Sequence, residues 1–301
     1  MSKSKNMLFL LTVILTITMI SSTTFAIPNF ARKYKLDCST CHAPIPRLNE
    51  FGFKFRAAGF RLPEEIGKDV STANLGDYYT ARIQSTYNLG RSEAVSGVVT
   101  NTNQFSFVEL TVYPMTGAYG KYLSSLVELS FLPDNPAEVE NAYARVTLGQ
   151  ENSYFTVRAG VFHPFEGYGA SDRPISINRP LFQTTKASSS IFKPWGYDEA
   201  GVEFGYSTDN TFIRATLFNG ILGSGEPAQG GNLSRVKTDP SWNNMDYQLT
   251  VTQILTGDGG GITGYLYSGN IDQSTSLVTP DPTLFQNSFM RGIFFKFAWT
   301  R

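Results

Sequence analysis

Alternation of apolar and polar residues with a period of two runs through most of the chain after residue 77. In one such run, Phe155, Val157 and Ala159 alternate with Thr156 and Arg158. Because successive side chains of a strand point to opposite faces, this pattern predicts strands with one apolar and one polar face. We identify about ten such runs. They lie near residues 78–89, 104–113, 120–132, 139–149, 153–162, 197–207, 210–218, 246–255, 261–271 and 287–300.

The links between these runs alternate in length. Short links follow the even-numbered runs, at residues 114–117, 150–152, 208–209 and 257–260. Longer links follow the odd-numbered runs, and the longest extends from His163 to Gly196. Short turns at one end, long loops at the other and strands of about ten residues are typical of outer-membrane β-barrels. We therefore predict an all-β fold, an antiparallel outer-membrane barrel of about ten strands or more, preceded by a small helical segment.

Charged residues on the polar faces favour this barrel, because in a barrel they would line the lumen. These residues are Arg82, Glu109, Glu128, Arg145, Arg158, Glu199, Glu203, Arg214, Asp246 and Lys296. Aromatic residues near the ends of runs would form interfacial girdles. They are Tyr78, Tyr113, Tyr119, Tyr206, Phe212, Tyr247 and Trp299. The alternative is a soluble β-sandwich whose charged faces are simply solvated.

The first 26 residues read as a signal peptide. Lys3 and Lys5 precede an apolar run over residues 7–20, and a polar stretch then ends at Ala26. A positive start, an apolar middle and a small residue at the end predict export with cleavage after Ala26. The alternative is an uncleaved anchor, for which the run is short, since a membrane-spanning helix needs about 20 residues. The chain has 25 basic and 25 acidic residues, so we expect no nucleic-acid partner.

The only two cysteines of the chain form the sequence Cys38-Ser39-Thr40-Cys41-His42. This is the spacing at which c-type haem is attached. Each thiol would add to one haem vinyl group, and His42 would ligate the iron from one face. A redox Cys-x-x-Cys would sit in a βαβ pattern, which is absent. A structural zinc site needs four ligands, and the chain has only two Cys and two His. A plain disulfide leaves His42 unexplained. We therefore predict one covalent haem c, on an exported chain.

Residues 27–76 are predicted to form a haem-bearing N-terminal segment, and residues 77–301 the barrel. A short helix is expected from about Arg47 to Ala58, because apolar residues recur there at helical spacing. Gly59 could cap its end. The aromatic face of this helix would cover the haem edge or pack on the next domain. A segment this short cannot bury a sufficient core, so it should need the haem, the neighbouring domain, or both.

A resemblance follows from these residues. The stretches 28–34, 38–42, 46–52 and 55–56 resemble the fused outer-membrane monohaem cytochrome–porins. Members of that family are associated with oxidation of extracellular iron(II). The resemblance implies a haem c cofactor and electron transfer between an extracellular donor, with iron(II) as a candidate, and a periplasmic cytochrome. It also implies outer-membrane lipid as a partner. An iron(II) oxidase activity is one form of this function. A haem-plugged barrel with a structural, sensing or pore role is the alternative.

The sixth ligand of the iron is the remaining question of the site. The N-terminal segment offers no methionine and no second histidine. Elsewhere the candidates are His163, Met115, Met245, Met290, a lysine or water. We predict His163 as the distal ligand if the donor is external, since it follows the fifth run and should lie at the outer end. His163 with Glu166 and Asp172 could instead hold a metal at the outer mouth, or this loop could serve structure alone.

Overall fold

The structure, a computed structural model, describes residues 28–43, 47–70, 72, 74–133, 137–163, 199–218, 245–272 and 289–300. The predicted signal peptide lies outside these residues, as do Glu166 and Asp172. Three short helices come first: α1 Pro28–Tyr34, α2 Cys38–Cys41 and α3 Glu50–Ala57. Two 3₁₀ turns follow, at Pro63–Glu65 and Leu75–Tyr78. Among the described residues, no helix is both long and apolar enough to cross a membrane.

The rest of the described chain is one antiparallel sheet. Its strands are β1 Thr80–Glu93, β2 Val99–Tyr113, β3 Gly117–Tyr119, β4 Leu123–Phe131, β5 Glu138–Gln150, β6 Ser153–Phe162, β7 Glu199–Thr208, β8 Thr211–Phe218, β9 Asp246–Ile254, β10 Gly261–Asp272 and β11 Phe289–Thr300. Neighbours along the chain are neighbours in the sheet, except that the short β3 pairs only with β4 and β2 also pairs with β4. The predicted antiparallel, mostly β architecture is confirmed.

The link between β1 and β2 corrects the sequence prediction. A long link over residues 90–103 was expected, but the two strands pair until Glu93 meets Val99, and only residues 94–98 form the turn. Gly97 has a φ of 77° there, a backbone conformation that favours glycine. The side chains around this turn are exposed on both faces. Alternation is therefore missing from the sequence although backbone pairing continues.

The faces of the sheet have the opposite polarity to those of a soluble protein. On the inner face Arg145, Thr156 and Thr252 are at most 4% exposed. On the outer face Phe155 is 60% and Phe204 50% exposed. The same alternation holds along β5 to β10, where described inward residues are largely polar and outward ones largely apolar. Large contiguous apolar surface is rare on soluble monomers and marks a surface that contacts a protein, a ligand or a membrane.

The N-terminal segment packs on the inner face and shows that the sheet is curved. Phe55 joins an apolar cluster with Tyr113 of β2, while Phe53 joins another with Ile254 of β9. Six inter-strand spacings separate β2 from β9, which is roughly 29 Å in a flat sheet. A helix is only about 10–12 Å wide. The sheet must therefore wrap around the segment for α3 and its flanks to contact both strands.

Two arginines face each other on neighbouring inner positions, since Arg145 of β5 pairs with Arg158 of β6 in the register. Each has its own acceptor. The Arg158 guanidinium lies 2.6 Å from the carboxylate of Glu203 on β7, and both side chains are at most 2% exposed. Arg214 of β8 lies 3.6 Å from the other carboxylate oxygen. Arg145 turns instead to the N-terminal segment. The buried carboxylate of Glu203 thus pairs with Arg158 and also lies near Arg214.

Three aromatic residues assigned to interfacial girdles lie inside instead. Tyr78, Tyr113 and Phe212 are each at most 6% exposed. The Tyr113 hydroxyl donates to the Glu128 carboxylate at 2.5 Å, and Phe212 packs in the cluster of Phe53. The assignment was wrong because it used only the position of these residues near strand ends. At the short-turn end of the sheet, residues in that position pack against the N-terminal segment. Tyr247, at 44% exposed, does face outward.

We predict that Glu203→Gln lowers the free energy of unfolding by about 3 kcal/mol, because removing one member of a buried ion pair leaves the other charge poorly compensated. Thermal unfolding followed by circular dichroism measures the effect. Glu151→Gln, in the exposed β5–β6 turn, is the matched control and should change stability little. Equal effects of the two substitutions would show that the inner facing of Glu203 is wrong.

Candidate haem-attachment site

The predicted attachment motif, residues 38–42, occupies one helical turn. Cys38 and Cys41 are the first and last residues of α2, and both are partly exposed free cysteines. Residues three apart lie on the same side of a helix, so the two thiols can reach one macrocycle. The next residue, His42, ends the turn, with its backbone N–H donating to the Cys38 carbonyl at 3.1 Å. The three predicted site residues are therefore brought together.

The imidazole of His42 is held by the loop that follows it. Its Nδ1 lies 3.3 Å from the carbonyl oxygen of Arg47, and the same carbonyl accepts from the Ala43 N–H at 3.0 Å. An imidazole that donates from Nδ1 to a backbone carbonyl keeps its Nε2 lone pair for a metal. The residue types and their spacing thus fit a covalent haem, and His42 is the residue that would ligate its iron.

Asn49 joins the attachment helix α2 to α3. Its side-chain oxygen accepts from the Gly52 N–H at 2.9 Å and so caps α3, a frequent role for asparagine. Its side-chain nitrogen donates to the Thr40 carbonyl at 2.9 Å. At Gly52 the helices touch, since a Cβ there would lie 2.2 Å from the Cys41 carbonyl oxygen. Sequence reasoning missed Asn49, although an Asn before Glu50 is a recognisable N-cap signal.

A turn of the sheet also holds residues 47–49, here called the attachment loop. The Glu50 N–H donates to the Gly257 carbonyl, in the β9–β10 turn, at 3.1 Å. In the same turn the Asp258 carboxylate lies 3.2 Å from the Arg47 guanidinium. Gly259, with a φ of +86°, approaches so closely that a Cβ would lie 2.3 Å from the Leu48 carbonyl oxygen. The attachment loop is therefore docked against the short-turn end of the sheet.

Arginines tie the far end of α3 into the sheet. Arg145 donates to the Arg56 carbonyl at 2.6 Å, and Thr147 donates to the Ala58 carbonyl at 3.2 Å. The last carbonyls of a helix have no intrahelical donor and carry partial negative charge, so a cation is favourable there. Arg61, which is fully buried, donates to the carbonyl of Gly120 in the β3–β4 turn and to that of Leu123 at the start of β4. The N-terminal segment is thus bonded to the sheet at several places.

The structure places His163, the predicted distal ligand, directly after β6, at the long-loop end. The attachment loop docks at the short-turn end. The nine steps along β6 from Ser153 to Phe162 span about 30 Å. His163 is therefore not next to His42 in this arrangement, and its carbonyl lies 3.5 Å from Arg158. Met115 and Met245 are 56% and 40% exposed. The side chain of Met290 lies outside the described part.

Helix α3 spans Glu50–Ala57, within the predicted range of 47–58. Gly59, expected to end it, has a φ of +76°. The aromatic face of α3 packs on the sheet, which is one of the two interpretations proposed from the sequence. Phe55 is buried there and Phe51 is half-buried. The helices α1 and α2 were not predicted, because helices of seven and four residues give no periodic signal.

Burial raises the pKa of the Cys41 thiol to about 11, and the nearby Cys38 thiol adds to this rise. At pH 9 a free cysteine is largely thiolate, whereas Cys41 in the folded chain is mostly protonated. We predict that iodoacetamide at pH 9 alkylates Cys41 at least about tenfold more slowly in the haem-free folded protein than in the urea-unfolded protein. The reason is that only the thiolate form of the cysteine reacts. Peptide mass spectrometry over time measures this. Equal rates would contradict the burial of Cys41.

Comparison with protein-family models, with curated proteins and with solved structures finds no match. Among the described residues, no group of three or more His, Cys, Asp or Glu side chains is arranged to hold a metal ion. Glu166 and Asp172 of the alternative metal site lie outside those residues. A function for this chain must therefore be inferred from the motif at residues 38–42 and from the sheet on which the N-terminal segment packs.

Proposed function

We propose that this chain is an outer-membrane c-type cytochrome–porin that transfers electrons between an extracellular donor and a periplasmic cytochrome. Iron(II) is the candidate donor that the sequence resemblance suggests. The observation that carries the proposal is the combination of two features. A Cys-x-x-Cys-His turn with an oriented histidine lies on a segment that packs inside a sheet whose apolar side chains face outward.

The residues of the attachment turn suit a covalent haem. Cys38 and Cys41 would form the two thioether bonds, and the Nε2 of His42 would bind the iron. A bound haem supplies reversible one-electron chemistry at the iron. The protein's part is to orient the imidazole through the Arg47 carbonyl and to fix the attachment loop on the sheet.

The outward apolar face supports a place in a membrane. Only helices and closed barrels satisfy their backbone hydrogen bonds inside lipid, so the proposal includes pairing of the two edge strands, β1 and β11. This pairing would close a barrel of ten long strands, an even number as in bacterial outer-membrane barrels. The apolar band would then contact lipid, and the buried charged face would line the lumen.

The link lengths support one orientation. Short turns of such barrels lie in the periplasm, and the N-terminal segment docks at the short-turn end through Arg47 and Glu50. The haem would therefore exchange electrons with its periplasmic partner directly. The long loops would lie on the extracellular side. The donor would enter the lumen from that side and reach the haem past α3.

A second candidate function rests on how firmly the N-terminal segment is held. The fully buried Arg61 and the nearly fully buried Arg145 bond to backbone carbonyls across the contact between segment and sheet. A segment fixed so strongly is also suited to be a plug, with the haem serving structure or redox sensing. The two functions differ in whether an external donor reduces the haem.

We predict that Cys38→Ala or Cys41→Ala sharply lowers covalent haem, and that the double substitution abolishes it, because each thiol supplies one of the two bonds. Haem staining of denaturing gels, run on separated outer-membrane and periplasmic fractions, measures both haem and location. Full staining of the double variant would refute haem attachment. Wild-type protein found only as soluble periplasmic protein would refute the barrel.

We predict that iron(II) added to vesicles carrying the protein with its long loops outward reduces the haem, seen as the sharpening of the haem absorption bands. The same protein in planar bilayers should show little ionic conductance, because the N-terminal segment would close the lumen at its short-turn end. High conductance with no reduction would favour a pore. Neither conductance nor reduction would favour the structural or sensing plug.

A further inference from the structure

We propose that the β9–β10 turn, residues 255–260, is a positioning element for the proximal histidine, and that Asp258 acts on the iron through Arg47. This inference rests on the proposed haem at Cys38, Cys41 and His42. It assigns a role to a residue more than two hundred positions away from the attachment motif along the chain.

Arg47 links the turn to the imidazole of His42. The Asp258 carboxylate lies 3.2 Å from the Arg47 guanidinium, and the Arg47 carbonyl oxygen lies 3.3 Å from Nδ1 of His42. The Arg47 side chain is only 13% exposed, whereas that of Asp258 is 56% exposed. Arg47 is thus held in the protein with its charge at the surface end, where Asp258 meets it.

Hydrogen bonds within the turn fix its conformation. The Thr256 hydroxyl donates to the Asp258 carboxylate and lowers its pKa, and it accepts from the Gly260 N–H at 2.8 Å. Gly257 and Gly259 present a carbonyl and a bare Cα to the loop. A rigid turn with these contacts fixes residues 47–50, and with them the carbonyl that orients His42.

The ion pair itself should add little to folding stability, because exposed pairs are weak. Its effect is expected at the iron. A hydrogen bond from a ligating histidine to its outer partner orients the ring and raises its basicity. Without the carboxylate, the positive charge of Arg47 loses one of the groups that balance it, and the Arg47 carbonyl is less firmly held. Both changes disfavour the oxidised haem, so the midpoint potential should rise.

The experiment compares Asp258→Asn with two matched variants of the holoprotein. Asp258→Glu keeps the charge, and Asp209→Asn removes a carboxylate from the exposed β7–β8 turn at the same end of the sheet. The midpoint potential is measured by redox titration, and hydrogen exchange of the Glu50 amide reports docking of the loop. We expect Asp258→Asn to raise the potential and to speed exchange, Asp258→Glu to restore both, and Asp209→Asn to change neither.

Each outcome decides between the proposals. A haem-containing wild type in which Asp258→Asn and Asp209→Asn shift the potential equally would overturn the positioning role, since general charge near the site would then explain the shift. An unchanged potential in Asp258→Asn would overturn it as well. A wild type without covalent haem would instead refute the proposed function, and the positioning role with it.

Discussion

Arg145 reaches from β5 to the carbonyl oxygens at the end of α3, and the arrangement of the inner face depends on this contact. A polar interior cannot be filled by an ordinary apolar core, because buried polar groups need partners. The C-terminus of a helix offers unpaired carbonyls and a partial negative charge. The N-terminal segment therefore supplies acceptors to the sheet as well as apolar rings, and the sheet supplies the cap that a short helix needs.

The contact of Arg145 with the end of α3 also reduces the repulsion between two arginines that face each other in the sheet. Like charges directly opposite each other on neighbouring strands are destabilising, yet Arg145 and Arg158 are such a pair. Arg145 bonds to the segment, and Arg158 bonds to Glu203 on the other side. A shift of the register by one residue would turn these groups outward. Segment, register and buried charges thus support one another, and the segment that carries the attachment motif is part of that arrangement.

Sequence reasoning predicted the strands where one face is buried and the other is not. Runs such as 153–162 match the strand limits because Arg158 and Phe155 must face opposite ways. It missed the strand residues 90–93 and 99–103, because side chains on both faces are exposed there and no alternation is needed. Sequence reasoning assigned Tyr113 to a girdle because it lies near the end of a strand. That position does not show that Tyr113 packs against the N-terminal segment.

The candidate site divides in the same way. The motif at Cys38–His42 is local, and its spacing alone predicts the chemistry. The carbonyl of Arg47 that orients His42 depends on a loop conformation, which leaves no mark in residue types. The contact of Arg47 with Asp258 joins residues far apart in the chain, and only the folded sheet brings them together. Asn49 is intermediate, because capping residues have a sequence preference.

The central claim is that residues 38–42 carry one covalent haem in a protein of the outer membrane. Mass spectrometry of tryptic peptides from purified outer membranes tests it most directly, because cleavage after Lys35 and Arg47 isolates the motif in one peptide. The peptide of residues 36–47 is expected to be recovered with the added mass of one haem. Recovery of that peptide with two free thiols, or with an internal disulfide and no haem, would contradict the account.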